Sequence, residues 1–372
     1  MNIFYGTNDK KINITQICKN NINKVPFTLR NYHFKIEYGT KKYKIDVSNK
    51  FINLNKIPAG DINRYNIIKI DPIYGIKKSI FIDDIEYPSE QEIDLNKIKQ
   101  NTIYIPRGEQ NRTTLYTDPN YGFLKKIYIM KDGLLTEYDH NLIIKINILK
   151  MSITTINLNN VLNNIHRQLK IKNGSLIEEL PEQLMVLDYL NGNEKILEIG
   201  GNIGRNSLVI SYILNKILQV ESSNNLIVLE CDNDSSNKLN QNKNLNDFKF
   251  HVENSALSSH KLIQKGWDTI PSNVLLPEYN WVNTITLKQL YTKYNINFDT
   301  LIIDCEGAFY YILIDYPEIL NNIKLIIVEN DYKTILQKQY VKDKLINKKF
   351  YLIHREDGPG IINKNFYEVW IK

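Results

Sequence analysis

The chain has 372 residues, 42% hydrophobic and 24% charged, with a net charge of +6. That composition excludes a disordered or fibrous protein, and the length favours two domains over one core. Cys18, Cys231 and Cys305 stand too far apart for a disulfide framework or a cysteine metal cluster, no apolar run reaches the ~18 residues that cross a bilayer, and no signal-peptide core opens the chain, so a cytoplasmic protein (a host's cytoplasm, if viral) is expected.

The charge is uneven. Residues 1–140 carry 22 Lys and Arg against 16 Asp and Glu. The lysines scatter among apolar residues, which reads as a solvated surface before it reads as an anion-binding patch. Heavy use of Asn, Ile, Lys and Tyr reads as the codon bias of an AT-rich genome, so a run such as NLNNVLNNI is not functional low complexity.

An internal repeat fills the first third. IPAGDINRYNIIKIDPIYGIKKSIFI (Ile57–Ile82) matches IPRGEQNRTTLYTDPNYGFLKKIYI (Ile105–Ile129). A shorter echo pairs Phe4–Thr15 with Glu37–Ser48. Alternating apolar and polar residues predict strands at Tyr43–Val47, Ser79–Ile82 and Lys126–Ile129, punctuated by Gly and Pro. A β-rich repeat module over residues 1–135 is expected. It is a candidate for pairing subunits. The paired Asn63/Arg64 and Asn111/Arg112 offer two equivalent ligand sites or, more simply, a turn Asn beside an Arg that bonds Asp61 or Glu109. Residues 136–180 read as a helical bridge, with Leu158, Val161, Ile165 and Leu169 at helical spacing; Pro181 opens a second helix.

KILEIGGNIGRNSLVI (Lys195–Ile210) then sets a buried strand against an amphipathic helix, with Gly200, Gly201 and Gly204 in the turn. In a parallel sheet such a turn lies at the ligand-binding edge. The dinucleotide spacing Gly-x-Gly-x-x-Gly fails, because Asn202 and Arg205 stand at its second and third positions. What fits is acid-x-Gly-x-x-x-Gly, from Glu198 through Gly200 and Asn202 to Gly204. A second strand ends at Glu230, with Cys231 and Asp232 following; an acid there can accept from two ribose hydroxyls. NKNLN precedes a third strand that ends at Asn254, Ser255 and Ala256, placed to line a base pocket. The fourth strand ends in Asp304 before Glu306, the fifth in Glu329 and Asn330, and a late strand closes at His354. This order predicts an α/β, Rossmann-like, doubly wound and mostly parallel sheet over residues 181–372.

Across these residues the set E-x-G-G-N-x-G, N-x-N-x-N, NSALSS, TITLKQL, D-x-E-G-A and IIVEN resembles the FkbM family of class I S-adenosylmethionine (SAM) methyltransferases. The resemblance implies SAM-dependent O-methylation of a sugar, with S-adenosylhomocysteine (SAH) as product. It places Glu198, Gly200, Gly201, Asn202, Gly204, Glu230, Cys231, Asp232, Asn254, Ser255 and Ala256 at the cofactor. Asp304 is then the expected base or hydroxyl-orienting group, Glu306 its support and His354 the alternative base. The alternative for Asp304 is that it caps the following helix. Glu329 and Asn330 are acceptor candidates. Oxygen ligands at Asp304, Glu306 and Glu329 would suit Mg²⁺, but no dense carboxylate cluster asks for it, and no metal is assigned. Two features depart from the family: the long connection His260–Asn283 and the repeat module. A carbohydrate or nucleotide-sugar acceptor is expected, with neither nucleic acid nor membrane as partner. The rivals are a glycan- or partner-binding scaffold with a non-catalytic domain, and an RNA or protein methyltransferase.

Overall fold

The computed structural model describes residues 1–20, 35–51, 54–190, 192, 194–217, 225–358 and 364–372. Lys24 and Arg30, which belong to the basic excess of residues 1–140, lie outside them. The chain divides into two units, Met1–Leu158 and Asn159–Lys372. The expected bridge therefore does not exist as a separate piece. Strands Leu134–Tyr138, Leu142–Asn147 and Ser152–Asn157 complete the first unit, and the helix Leu158–His166 leads into the second.

The first unit holds two four-stranded antiparallel sheets of like strand order. Lys44–Asp46, Ile36–Gly39, Ser79–Ile82 and Ile85–Tyr87 form one four-stranded antiparallel sheet. Lys11–Asn13, Asn2–Gly6, Lys126–Lys131 and Leu134–Tyr138 form its counterpart in the same order. Each repeat also contains a helix, Asp61–Ile68 and Glu109–Tyr116, where the sequence pattern suggested only strands and turns. Both helices start at a glycine of positive φ, Gly60 at 90° and Gly108 at 86°.

Arg64 and Arg112 are fully buried in equivalent places. Arg64 donates to the carbonyls of Pro58, Pro88 and Gln91, and Arg112 to those of Pro106, Asp139 and Leu142. Asn63 and Asn111 donate back to the carbonyls of Ala59 and Arg107. These residues pin loop backbone. They neither open onto a ligand site nor bond Asp61 or Glu109 through the guanidinium. Those acids serve buried lysines instead: Asp61 accepts the Lys78 N–H at 3.0 Å, and Glu109 meets Lys125 Nζ at 2.5 Å.

The second unit is built on seven strands: β1 (Ile196–Ile199), β2 (Leu226–Leu229), β3 (His251–Glu253), β4 (Thr300–Ile303), β5 (Leu325–Glu329), β6 (Tyr351–Glu356) and β7 (Tyr367–Ile371). Their order is β3-β2-β1-β4-β5-β7-β6. The first five are parallel, and β7 runs antiparallel to both neighbours. β1, β2 and β4 are buried along their length, as the central strands of a doubly wound sheet must be. Helices α1 (Leu180–Tyr189), α2 (Arg205–Tyr212), α3 (Asn233–Leu245), α4 (Leu287–Tyr294), α5 (Ala308–Asp315) and α6 (Ile335–Asn347) form the crossovers and flanks. Thr286 with Gln289 and Thr334 with Gln337 start α4 and α6 as capping boxes. The strand order reverses between β1 and β4, so a crevice opens beyond their C-terminal ends.

Two additions shape that crevice. Residues 170–179 are tied to the Rossmann-like core by Asn242, which accepts the Lys172 and Asn173 N–H groups and donates to the Asn173 and Ile203 carbonyls. Arg205 holds the same segment through the Ser175 carbonyl and the carboxylates of Glu178 and Glu179. The connection His260–Asn283 folds as a small sheet in the order Asp268–Pro271, Leu262–Lys265, Asn280–Val282. It carries two exposed tryptophans, Trp267 and Trp281.

Candidate active site

The crevice holds a cavity of about 470 Å³, within the range of small-molecule sites. Gly200, Asn202, Glu230, Cys231, Ser255, Ala256, Asp304, Glu306 and Glu329 all line it. Glu198, Gly201, Gly204, Asp232, Asn254, Asn330 and His354 are not in its lining.

The glycine turn is dictated by packing. Gly200 has φ 92°, and a Cβ there would sit 1.5 Å from the Asp304 carbonyl oxygen. What this glycine clears is the exit of β4. A Cβ on Gly201 would lie 2.3 Å from Val228 and 2.8 Å from Leu239, so this glycine lets the turn sit on β2 and α3. Gly204, at φ 92°, is the N-cap of α2. Asn202 takes a left-handed φ of 47°, and its N–H donates to Glu230 Oε2 at 2.7 Å.

Glu230 thus joins two strand ends. Its Oε1 accepts the Asp232 N–H, also at 2.7 Å. Burial pushes its carboxyl up to about 7, despite these donors. Glu198 lies deeper, behind the wall. It is 2% exposed, and its Oε2 has no hydrogen-bond partner. Burial first, then the carboxylates of Glu179 and Glu230, push it up to about 8, while the Ser207 hydroxyl pulls the other way. Asp232 caps α3 by accepting the Ser235 N–H. Asn254 donates to the Glu230 carbonyl at 2.8 Å and borders an adjoining cleft with Trp267 and Trp281. Asp232 and Asn254 both line this adjoining cleft, which shares Cys231, Gln264 and Trp267 with the cavity. Cys231 lines the cavity as an inert thiol, pushed up to about 12 by burial and by Glu230.

On the other side of the switch point Asp304 does not cap α5; the N-cap is Gly307, with no side-chain cap. Its carboxyl is held well above the usual range by burial and then by Glu179, Glu182, Asp331 and Glu306. Glu306 is an exposed residue of left-handed φ (51°) on the cavity wall. Asp331 Oδ1 accepts the Gly307 N–H at 2.7 Å and so fixes the turn. Asn330 is buried against the start of β7, donating Nδ2–H to the Asn365 carbonyl. His354 is 1% exposed inside β6, with Nδ1 3.1 Å from the Tyr189 hydroxyl and Nε2 2.8 Å from Glu356. A residue so enclosed has no access to a substrate in the cavity, which removes it as a base.

The sequence pattern did not single out Glu179, Glu182, Asp315 or Trp267. Glu179, Asp315 and Trp267 line the cavity, and Glu182 meets Asp304 and Glu329 from α1. The available signal was the acid-rich EELPEQ at the start of a Pro-initiated helix. The cavity therefore carries six carboxylates, Glu179, Glu230, Asp304, Glu306, Asp315 and Glu329, and no Lys or Arg among its described lining residues. Such a wall favours a cation and repels phosphate. Among the described residues no helix is long and apolar enough to cross a membrane.

No protein-family model matches the chain, and no curated protein matches it. Among solved structures it is similar to an O-methyltransferase from Bacillus cereus in complex with SAH, at 14% identity and TM-score 0.33, covering 58% of this chain and 90% of that one. It is also similar to fibrillarin from Aeropyrum pernix with natively bound SAM, at 11% identity and TM-score 0.34, covering 62% and 94%. A third is a protein of the NADB-Rossmann superfamily from Streptococcus agalactiae, at 12% identity and TM-score 0.34, covering 55% and 69%.

Proposed function

We propose that the second unit is a SAM-dependent O-methyltransferase whose acceptor is an uncharged hydroxyl compound, a sugar or glycan. One observation carries this reading: the glycine turn after β1, the acid after β2 and the acid after β4 converge on one cavity walled by carboxylates. When bound, SAM supplies a methyl group on a positively charged sulfur. The residues present fit such a donor. Glu230 keeps lone pairs beyond its two backbone contacts to accept ribose hydroxyls, and the unpartnered Glu198 Oε2 lies buried behind the turn. Ser255 and Ala256 would flank the base.

The chain's remaining task is alignment, since transfer to an alcohol is an in-line displacement. Asp304 would accept the hydrogen of the attacking hydroxyl, fix its direction and take up its proton as the methyl group transfers, with Glu306 beside it on the cavity wall in support. The absence of Lys and Arg from the described wall disfavours a nucleotide-sugar, whose phosphates need cationic partners. Calorimetric titration of the full chain with SAM and SAH tests the reading: saturable binding of both is expected. A folded chain that binds neither at about 1 mM, the weak end of ordinary substrate affinity, would sink it.

A further inference from the structure

The sequence repeat of the first unit retains a residue pair that the fold does not use. Among the residues that recur, Ile57 and Ile105, Arg64 and Arg112, and Ile80 and Ile127 are buried. Lys78 and Lys125 recur and are buried too, and each pins the loop before it. Lys78 Nζ donates to the Ile76 carbonyl at 2.7 Å and pairs with Asp71 at 3.0 Å. Lys125 Nζ donates to the Asn120 and Phe123 carbonyls and pairs with Asp118 at 3.1 Å. On each loop so held stands a tyrosine, Tyr74 at 95% exposure and Tyr121 at 87%. A ring that exposed has almost nothing of its own chain to pack against, so its recurrence owes nothing to the core.

The surroundings of the tyrosines point to the kind of partner. Ile70 and Ile76 border Tyr74 in sequence, Phe123 and Leu124 follow Tyr121, and all four are at least half exposed. No charged residue stands between Asp71 and Lys77 or between Asp118 and Lys125. A nucleic acid would need cations there. A sugar ring would need hydrogen-bonding side chains beside the aromatic, and the neighbours Ile73 and Ile76 offer none. Aromatic and aliphatic side chains without charge are the composition of a protein–protein interface core. We propose that the two loops are a self-association surface, on which the Tyr74 loop of one copy of this chain meets the Tyr121 loop of a second. Such a contact is reciprocal: when the first loop of one copy meets the second loop of the other, the converse contact follows by symmetry and the dimer closes. The area agrees. Tyr74, Tyr121 and Phe123, rings of roughly 150–250 Å² each, with the exposed Ile62, Ile70 and Leu124, approach the ~800 Å² that each partner gives to a stable interface.

The association uses the first unit alone, so it is measured on the full chain without donor or acceptor, and its outcome leaves the methyltransferase reading untouched. Sedimentation velocity is run at concentrations up to about 100 µM, where even a weak specific dimer forms. A species of twice the chain's mass is expected. Tyr74→Ser and Tyr121→Ser change side chains that lie in solvent, so both variants should melt as the parent does. Each should weaken the dimer at least about tenfold, and the double variant should stay monomeric. Tyr351→Ser, at an exposed tyrosine on β6 of the second unit, should change it less than about twofold. Hydroxyl-radical footprinting adds a second measurement: Tyr74 and Tyr121 should become protected as the concentration rises. A chain still monomeric at the highest concentration would overturn the proposal and leave the tyrosines to another protein or to a glycan. So would a dimer that the double variant leaves intact, or one in which both tyrosines stay open to the radical.

Discussion

Gly200 shows how little freedom a single position can have. Its φ of 92° is adverse to any side chain, and its missing Cβ is what lets the turn after β1 touch the Asp304 carbonyl. Gly200→Ala should therefore cost about 3 kcal/mol or more in chemical denaturation, or prevent accumulation of folded protein. A variant as stable as the parent would mean that the two strand ends stand further apart. Glycine at this site was legible in the sequence, but its reason was not. A pattern of glycines announces a tight turn; which backbone it must avoid depends on β4, a hundred residues later.

The helices Asp61–Ile68 and Glu109–Tyr116 make a similar point for elements. Each has a buried arginine that donates to three loop carbonyls around it. Arg64→Met and Arg112→Met should each destabilise the protein by about 3 kcal/mol, since several buried carbonyls lose their donor at once. If either were a ligand contact instead, the melting transition would stay put. The sequence repeat was readable, because its side chains recur at a nearly fixed offset. The helices were not: Asn, Arg and Thr at their centres look like turn residues until tertiary contacts claim them. In the second unit the strand-end acids Glu230, Asp304 and Glu329 could be found one element at a time, since each closes an apolar run. Glu179 and Glu182 could not, because only the placement of α1 brings the first to the cavity and the second against Asp304 and Glu329. Asp232 and Asn254 line the adjoining cleft, where the first also caps α3 and the second holds the Glu230 carbonyl.

Over the whole molecule the net charge is positive, and the cavity gathers six carboxyl groups with no Lys or Arg among its described lining residues. Glu198 and Glu230 keep their protons to about 8 and about 7, above the range of an unfolded carboxyl. The folded state therefore binds more protons than the unfolded one between those limits. For these two groups stability is greatest in acid and is lost as pH rises through 7 and 8. The melting temperature of the free chain should fall over that interval. A cationic donor favours the ionised carboxylates, so affinity for SAM relative to SAH should rise over the same interval. A ratio flat from pH 6 to 9 would remove these acids from the donor's field.

The tryptophans give this chain its own optical reporter. Trp370 is 2% exposed and tied to Glu368, whereas Trp267 and Trp281 are 57% and 46% exposed on the added sheet. Trp267 lies on the cavity wall and shares an adjoining cleft with Trp281. The red-shifted, quencher-accessible part of the emission thus originates beside the cavity, and the blue part comes from β7 in the core. Occupancy of the cavity and integrity of the sheet are written in different colours of one spectrum.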